Sequence, residues 1–445
     1  MPYTFTRGGI HPPEHKLSSD CRIHDLRIPA SVIIPLGQHL GAPAKPVVNK
    51  GDAVKTGQLI AKGEGFVSSN VHASVSGKVV KIEEAADVSG YKKAAVFIET
   101  AGDEWIETID RNPALNTTIS LSGQEIIGRI GEMGIVGLGG ATFPSQVKLS
   151  VPRGKKAEYL IINGVECEPY LTSDHALMIE KGEEIMVGVQ ILKKALNVEK
   201  VIIGIEDNKP DAIRNLSIIA KKYPGTTVAG LKVKYPQGGE KQLIQALIKR
   251  EVPSGGLPVD VGAVAFNVGT AFAVYEAIQK NKPLFERIVT ITGKSLKKPS
   301  NLRVRIGTPV SALIEAAGGL PEDTGKIISG GPMMGKAIAS LEVPVVKGSS
   351  GILLISEDES KRGKIEPCIR CSKCVSVCPM GLEPYLLMPL AQKGMFDRLE
   401  EEKVMDCMEC GSCSYTCPAC RPLLDYIRLG KAQVGKIIRS RKKPA

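Results

Sequence analysis

The chain has 445 residues, 43% of them hydrophobic and 24% charged, which is the balance of a soluble protein with several buried cores. Aromatic residues make up only 4%, with one Trp, which argues against a base-stacking nucleic-acid surface; the best apolar run, Val261 to Tyr275, is broken by Gly262, Asn267, Gly269 and Thr270, which argues against a membrane span. Seven of the 58 basic residues and none of the 47 acidic ones lie from Tyr426 to Ala445, so the net charge of +11 is concentrated in a tail expected to be solvated, and the rest is nearly balanced.

In chain order, Met1 to Ile10 (MPYTFTRGGI) lacks the apolar core of a secretory signal, and the protein is expected to stay in the cytoplasm. Residues 30–100 read as short strands parted by the turns Gly51-Asp52 and Lys62-Gly63-Glu64-Gly65. They resemble a barrel-sandwich hybrid of the biotinyl/lipoyl type, with an expected domain at 1–110. Carriers of that type present a Lys beside Met or Asp; neither pair occurs here, so the domain reads as structural, and so does its His72.

From about 120 to 250, apolar strands such as Tyr159 to Ile162 and Lys200 to Ile205 alternate with helix-length segments, Glu183 to Leu196 and Lys241 to Ile248. That alternation predicts βαβ units and a largely parallel, Rossmann-like sheet, with its domain at 111–250. Residues 251–346 read as a β-grasp module with a helix near Val310 to Ala317 and the turn Gly330 to Gly335. A Gly/Ser/charged connector with a short apolar insert follows at 347–364, then a helical domain at 365–430 and the basic tail at 431–445. The expected fold class is therefore multidomain α/β.

Nine of the eleven cysteines lie between residues 368 and 420. Cys368, Cys371, Cys374 and Cys378-Pro379 give C-x2-C-x2-C-x3-C-P, and Cys407, Cys410, Cys413 and Cys417-Pro418 repeat it. A tight loop delivers three thiolates to a [4Fe-4S] cube, and in two-cluster ferredoxins the fourth comes from the other repeat. This assigns Cys368, Cys371, Cys374 and Cys417 to one cluster and Cys407, Cys410, Cys413 and Cys378 to the second. Disulfides suit a reducing compartment poorly, and zinc favours two separated C-x2-C pairs. Cys420 reads as a bystander, Cys21 and Cys167 as small hydrophobes.

A second constellation lies upstream. Consecutive glycines in Gly137-Leu138-Gly139-Gly140-Ala141-Thr142-Phe143-Pro144 let backbone amides approach a phosphate, with Lys148 a turn further on. Asn163-Gly164-Val165-Glu166-Cys167-Glu168-Pro169 follows one apolar strand, Tyr235-Pro236-Gln237-Gly238-Gly239-Glu240 follows another expected at Gly230 to Tyr235, and Asn267 interrupts a third. Ligands of such sheets bind at the carboxyl ends of the strands.

These motifs, with Gly8-Gly9-Ile10-His11-Pro12-Pro13-Glu14 and Gly330 to Gly335, resemble the NADH- and FMN-binding subunit of respiratory complex I and, more closely, the C subunit of Rnf-type ion-translocating electron transport complexes. The resemblance spans nearly the whole chain and implies a flavin reduced by NADH on the Rossmann-like domain. It implies that Gly137, Gly139, Gly140 and Ala141 pack against FMN, and that Lys148, Asn163 and Asn267 bond its phosphate or ring. It further implies Phe143 near the nicotinamide, and Glu168 and Glu240 on NADH with Tyr235 adjoining; Glu166 belongs to the same matching motif. Leu138 and Val165 depart from the complex I pattern, which has Arg and an acidic residue there.

The redox units then dictate the order. NADH gives up two electrons together and each cluster accepts one, so a flavin must divide the pair. The resemblance implies a peripheral subunit on the cytoplasmic side of the cell inner membrane, with membrane subunits as partners, ferredoxin as an indirect one and no nucleic acid. A soluble flavin/iron–sulfur cobalamin reductase and a flavin-free relay are the alternatives.

Overall fold

The computed structural model describes residues 3–441. At its centre lie four parallel strands in the order Thr226–Leu231, Lys200–Glu206, Tyr159–Asn163, Ala263–Asn267. Their near-continuous apolar runs suit a sheet covered by helices on both faces. The chain winds outward from Tyr159–Asn163 and then returns to its other side, so the order reverses between that strand and Ala263–Asn267. This is the switch point at which such sheets open a crevice, and Asn163 and Asn267 stand opposite each other there.

The N-terminal sandwich pairs Ser31–Pro35, Lys92–Thr100, Gly77–Ala86 and Ala53–Val54 in one sheet and Lys45–Pro46, Leu59–Lys62 and Val71–His72 in another. Val32, Ile34, Ile60, Val79 and Ile98 fill its core. His72 is buried among them, and burial, aided by the Lys347 cation, pushes its pKa down to about 3, so it stays neutral.

Several expected boundaries shift. Residues 3–25 contribute no strand to the two sheets of the sandwich and form a strap along the parallel sheet and its six-stranded neighbour. Tyr3 bridges Leu231, Ile10 bridges Tyr235, and Ile23–Asp25 is the edge strand of a six-stranded sheet, parallel to Ser300–Arg305. Open sheet edges leave backbone groups unpaired, and an extended segment is the simplest way to satisfy them. The strand expected at Gly230 to Tyr235 runs instead from Thr226 to Leu231, in register with Val201–Glu206. The cut at residue 250 falls inside the parallel sheet, because Ala263–Asn267 and the helix Val268–Gln279 complete it. The apolar insert of the connector is the strand Gly351–Ser356, between Glu286–Thr292 and Thr324–Ser329, with Ile352, Leu353 and Leu354 buried.

The basic tail is likewise ordered as far as Arg441, and its last four residues lie outside the described ones. Leu423–Arg441 is one helix, which buries Leu424, Ile427 and Val434 while Arg441 pairs with Asp397 and Glu400. Its polar face hides the apolar stripe in a simple count of charge.

The helices Gly182–Leu196 and Val268–Gln279 cover the sheet in backbone contact: a Cβ on Gly188 would lie 1.9 Å from the Ala271 carbonyl oxygen. Gly188→Ala should therefore destabilise this domain by about 2 kcal/mol. Differential scanning calorimetry would register an earlier transition for it.

Candidate flavin pocket and iron–sulfur sites

The switch point is built from interlocked polar groups. Asn267 caps the helix Val268–Gln279, its Oδ1 accepting from the Gly269 amide at 2.8 Å. Its Nδ2 donates to Asp174 Oδ2 at 2.6 Å and, more weakly, to the Asn163 carbonyl at 3.4 Å. Asn163 in turn donates to the Gly238 carbonyl at 2.8 Å. Burial, reinforced by the nearby Glu166 charge, pushes the Asp174 pKa up to about 7.

The glycine-rich loop closes over this crevice. Gly137 donates to the Phe143 carbonyl at 2.9 Å, and the Leu138 amide to Thr270 Oγ1 at 2.9 Å. Gly139 approaches so closely that a Cβ would lie 2.8 Å from Asn267 Nδ2. The amides of Gly139, Gly140 and Ala141 donate to no protein atom among the described residues, and all three residues are exposed. Phe143 is half-buried at the end of the loop. Lys148 reaches Glu240 Oε1 at 2.5 Å and the Ala265 carbonyl at 2.7 Å. Free amides, a lysine and a helix N-terminus at one strand end suit the phosphate of a flavin mononucleotide.

Arg287 was not evident from the sequence. It projects from the strand Glu286–Thr292 of the six-stranded sheet and donates to the Leu138 carbonyl at 3.3 Å and the Ser349 carbonyl at 3.2 Å. Burial lowers its pKa to about 10, against the attraction of Asp174. A lone arginine in another domain carries no motif that would reveal it.

Three further expected nucleotide contacts have protein partners of their own. The Glu166 carboxylate caps the helix Ser173–Glu180, accepting from the amides of Asp174 at 2.8 Å and His175 at 3.1 Å. Glu168 accepts from the amides of Met333 at 3.1 Å and Met334 at 2.7 Å, and its pKa is pushed up to about 7 by burial. The Tyr235 hydroxyl lies 3.4 Å from Glu168 and donates to the Cys410 carbonyl at 2.7 Å. The structure thus gathers Gly137, Gly139, Gly140, Ala141, Phe143, Lys148, Asn163, Glu240 and Asn267 at the loop. Glu168 and Tyr235 stand at the seam with the cysteine domain, because a buried carboxylate needs donors and the 333–334 amides supply them.

None of the eleven cysteines is joined in a disulfide. Cys378 stands within electrostatic reach of Cys407, Cys410 and Cys413, and these four line one small cavity. Cys374 stands near Cys417 and Cys368. The fourth cysteine of each repeat therefore faces the other repeat's loop. Among the described residues no group of three His, Cys, Asp or Glu side chains is drawn together around the place of a single metal ion. A cube gives each thiolate its own iron and so needs a wider spacing. Both loops also share a backbone: Arg370 and Ser372 have φ of 54° and 57°, and the equivalent Glu409 and Gly411 have 62° and 78°. A non-glycine residue held there costs about 1–3 kcal/mol, the kind of strain that collects at functional sites. Cys420 lies beside Gly363, outside both quartets.

The quartets differ in burial. Cys378, Cys410 and Cys413 are buried, whereas Cys368 and Cys371 are exposed. The buried set is wedged against the parallel-sheet domain, where a Cβ on Gly239 would lie 2.5 Å from Met408 Cε, and against the strap, where Gly9 donates to the Val377 carbonyl at 2.9 Å.

Two outcomes follow from this geometry. Cys378→Ser should abolish the EPR signal of the cluster held by Cys407, Cys410 and Cys413, and leave that of the cluster held by its own repeat's first three cysteines. Arg287→Ala should weaken FMN binding about tenfold in a fluorescence titration with both cluster signals intact, and Arg287→Lys should recover part of the loss.

Comparison with known proteins agrees with these features. Family models match residues 4–103 as an RnfC barrel sandwich hybrid domain, 130–276 as a Nuo51 FMN-binding domain, 288–337 as an SLBB domain and 357–418 as a 4Fe-4S dicluster domain. The chain is 50% identical to the C subunit of the proton-translocating ferredoxin:NAD(+) oxidoreductase complex of Clostridium ljungdahlii, over 96% of this chain and 93% of that one. It is 45% identical to the C subunit of the Na(+)-translocating ferredoxin:NAD(+) oxidoreductase complex of Acetobacterium woodii, over 96% of each. A solved NAD+-reducing [NiFe]-hydrogenase shares the fold at a TM-score of 0.50 and 16% identity, over 74% of this chain and 68% of that one. No helix among the described residues is long and apolar enough to cross a membrane. With its FMN-binding and dicluster domains, the chain belongs to the family of C subunits of ion-translocating ferredoxin:NAD(+) oxidoreductase complexes.

Proposed function

We propose that this chain is the NADH-handling subunit of an Rnf-type complex, exchanging electrons between NADH and, through membrane partners, ferredoxin. The observation that carries the reading is the joining of two sites: the free-amide loop at the switch point, and a buried cysteine quartet on the same domain's flank, hydrogen-bonded through Tyr235 to Cys410. Bound FMN would take an electron pair from NADH and release it singly, which matches one-electron clusters.

The chain's own residues align and enclose. The amides of Gly139, Gly140 and Ala141 with Lys148 would hold the flavin phosphate, and Asn163 and Asn267 would border the ring. Lys148 and Glu240, paired at 2.5 Å at the rim, would part to receive the nucleotide, and Phe143 would flank its nicotinamide. No side chain has to move a proton in the hydride step, so alignment is the protein's contribution. Glu168, Tyr235 and Glu166 act from behind: the first two hold the seam to the Cys410 loop and the third fixes the helix that carries Asp174. The buried quartet of Cys378, Cys407, Cys410 and Cys413 comes first on the electron path, and Cys368, Cys371, Cys374 and Cys417 come second, because among the described residues the former packs against the flavin domain, at Gly239 and Gln242. The subunit would sit peripherally on the cytoplasmic side of the membrane complex.

The test is anaerobic. With clusters and FMN reconstituted, NADH should bleach the flavin absorbance and then the clusters. Glu240→Gln and Lys148→Ala should each raise the NADH needed for half-reduction about tenfold, roughly 1.4 kcal/mol. Clusters that accept electrons from dithionite but ignore NADH would sink the reading.

A further inference from the structure

The segment 361–373 (KRGKIEPCIRCSK) differs from the rest of the surface. Every residue in it is exposed, it forms no helix or strand before Lys373, and it carries five basic residues against the single acid Glu366. Lys361, Arg362 and Lys364 have acidic neighbours in Glu357 and Asp358, Asp425 and Glu366 respectively. Arg370 and Lys373, which flank the exposed thiol of Cys371, form no ion pair among the described residues. Two isoleucines lie in the same segment, Ile365 60% exposed and Ile369 68% exposed, and Tyr385 beside Cys374 is 43% exposed. Exposed apolar side chains interspersed with charged ones, here with Tyr385 donating to Glu383, are what a protein interface uses.

Resting on the electron order proposed above, we infer that this face docks a partner protein that presents an acidic rim around a one-electron centre. The position supplies the reason. The buried quartet is flanked by the strap, Tyr235 and the 333–334 turn, whereas Cys368 and Cys371 reach the surface, so among the described cysteines of the two quartets these two are the ones a partner protein can approach most closely. In each encounter the reduced chain loses one electron and the partner's oxidised centre gains it; two encounters clear the pair from one NADH. Opposite charge hastens and orients the encounter, while the isoleucines bring the two centres close across a dry contact. An anionic lipid surface would satisfy Arg370 and Lys373 but accepts no electron, which favours a protein.

The experiment uses the full chain with both clusters and membranes carrying the other subunits but stripped of this one. The parent chain should cosediment with those membranes and release as salt is raised. Arg370→Glu with Lys373→Glu should weaken binding about tenfold or more. The same variant should slow reoxidation of the dithionite-reduced chain by those membranes to a similar degree, with the rate taken per reduced cluster counted by EPR, and Lys373→Glu alone should carry part of the effect. Ile365→Ser with Ile369→Ser, which leaves the charge intact, should weaken binding at high salt as well as low. Dithionite bypasses NADH, so a failure of the NADH reading leaves these measurements standing. The inference is overturned if the charge-reversed chain binds and transfers electrons within about twofold of the parent. It is equally overturned if protein-free phosphatidylglycerol vesicles capture the parent as well as the stripped membranes do.

Discussion

A carboxylate taken out of water has to find donors, and Glu168 finds them outside its own domain. The amides of Met333 and Met334 come from the six-stranded-sheet domain, and the Tyr235 hydroxyl links the same carboxylate to the carbonyl of Cys410 in the cysteine domain. Burying a charge without such partners costs several kcal/mol, so the three elements support one another at this junction. Gly331 is part of the same constraint, since a Cβ there would lie 2.2 Å from Glu168 Oε2. The relation between the loop at the switch point and the buried cysteines depends on it.

Two lysines, Lys347 buried and Lys16 half-buried, apply the same physics. Lys16, on the strap, donates to the carbonyls of Glu166, Glu168 and Leu171 at 2.7–2.9 Å and so holds the polar loop that carries Glu168. Lys347 donates to the carbonyls of Asn70 at 2.6 Å and Gly134 at 2.7 Å, tying the sandwich to the helix before the glycine-rich loop; burial pushes its pKa down to about 7. Arg287 completes the set from a third direction by holding the Leu138 carbonyl. Arg287 at Leu138 and Lys347 at Gly134 thus satisfy carbonyls in and just before the loop from other domains. Such a frame presents unpaired amides without letting the loop collapse onto them.

Legibility from sequence followed the range of the interaction. Cysteine spacing is local, so it announced two clusters, and in the structure Cys378 and Cys417 each stand by the other repeat's loop. The alternation of apolar strands with helices announced the parallel sheet, although Thr226–Leu231 lay several residues before the expected strand. The run Gly351–Ser356 was too short to separate from its Gly/Ser-rich surroundings, and its role as a middle strand arises only from long-range pairing. The tail looked solvated because its charge outweighs a sparse apolar stripe, and that stripe gains meaning only against the helices at 384–401.

By itself, then, the sequence determined the chemistry: eight thiols at ferredoxin spacing, a glycine run after a helix, and asparagines closing apolar strands. These depend on residue type and on neighbours a few positions away. The tertiary structure alone decided direction and access. It turned Glu168 and Tyr235 toward Cys410, brought Arg287 to the loop, buried one thiol quartet and left Cys368 and Cys371 at the surface. Burial and hydrogen-bond satisfaction are properties of the whole packed chain, because each group's partners come from residues far apart in sequence.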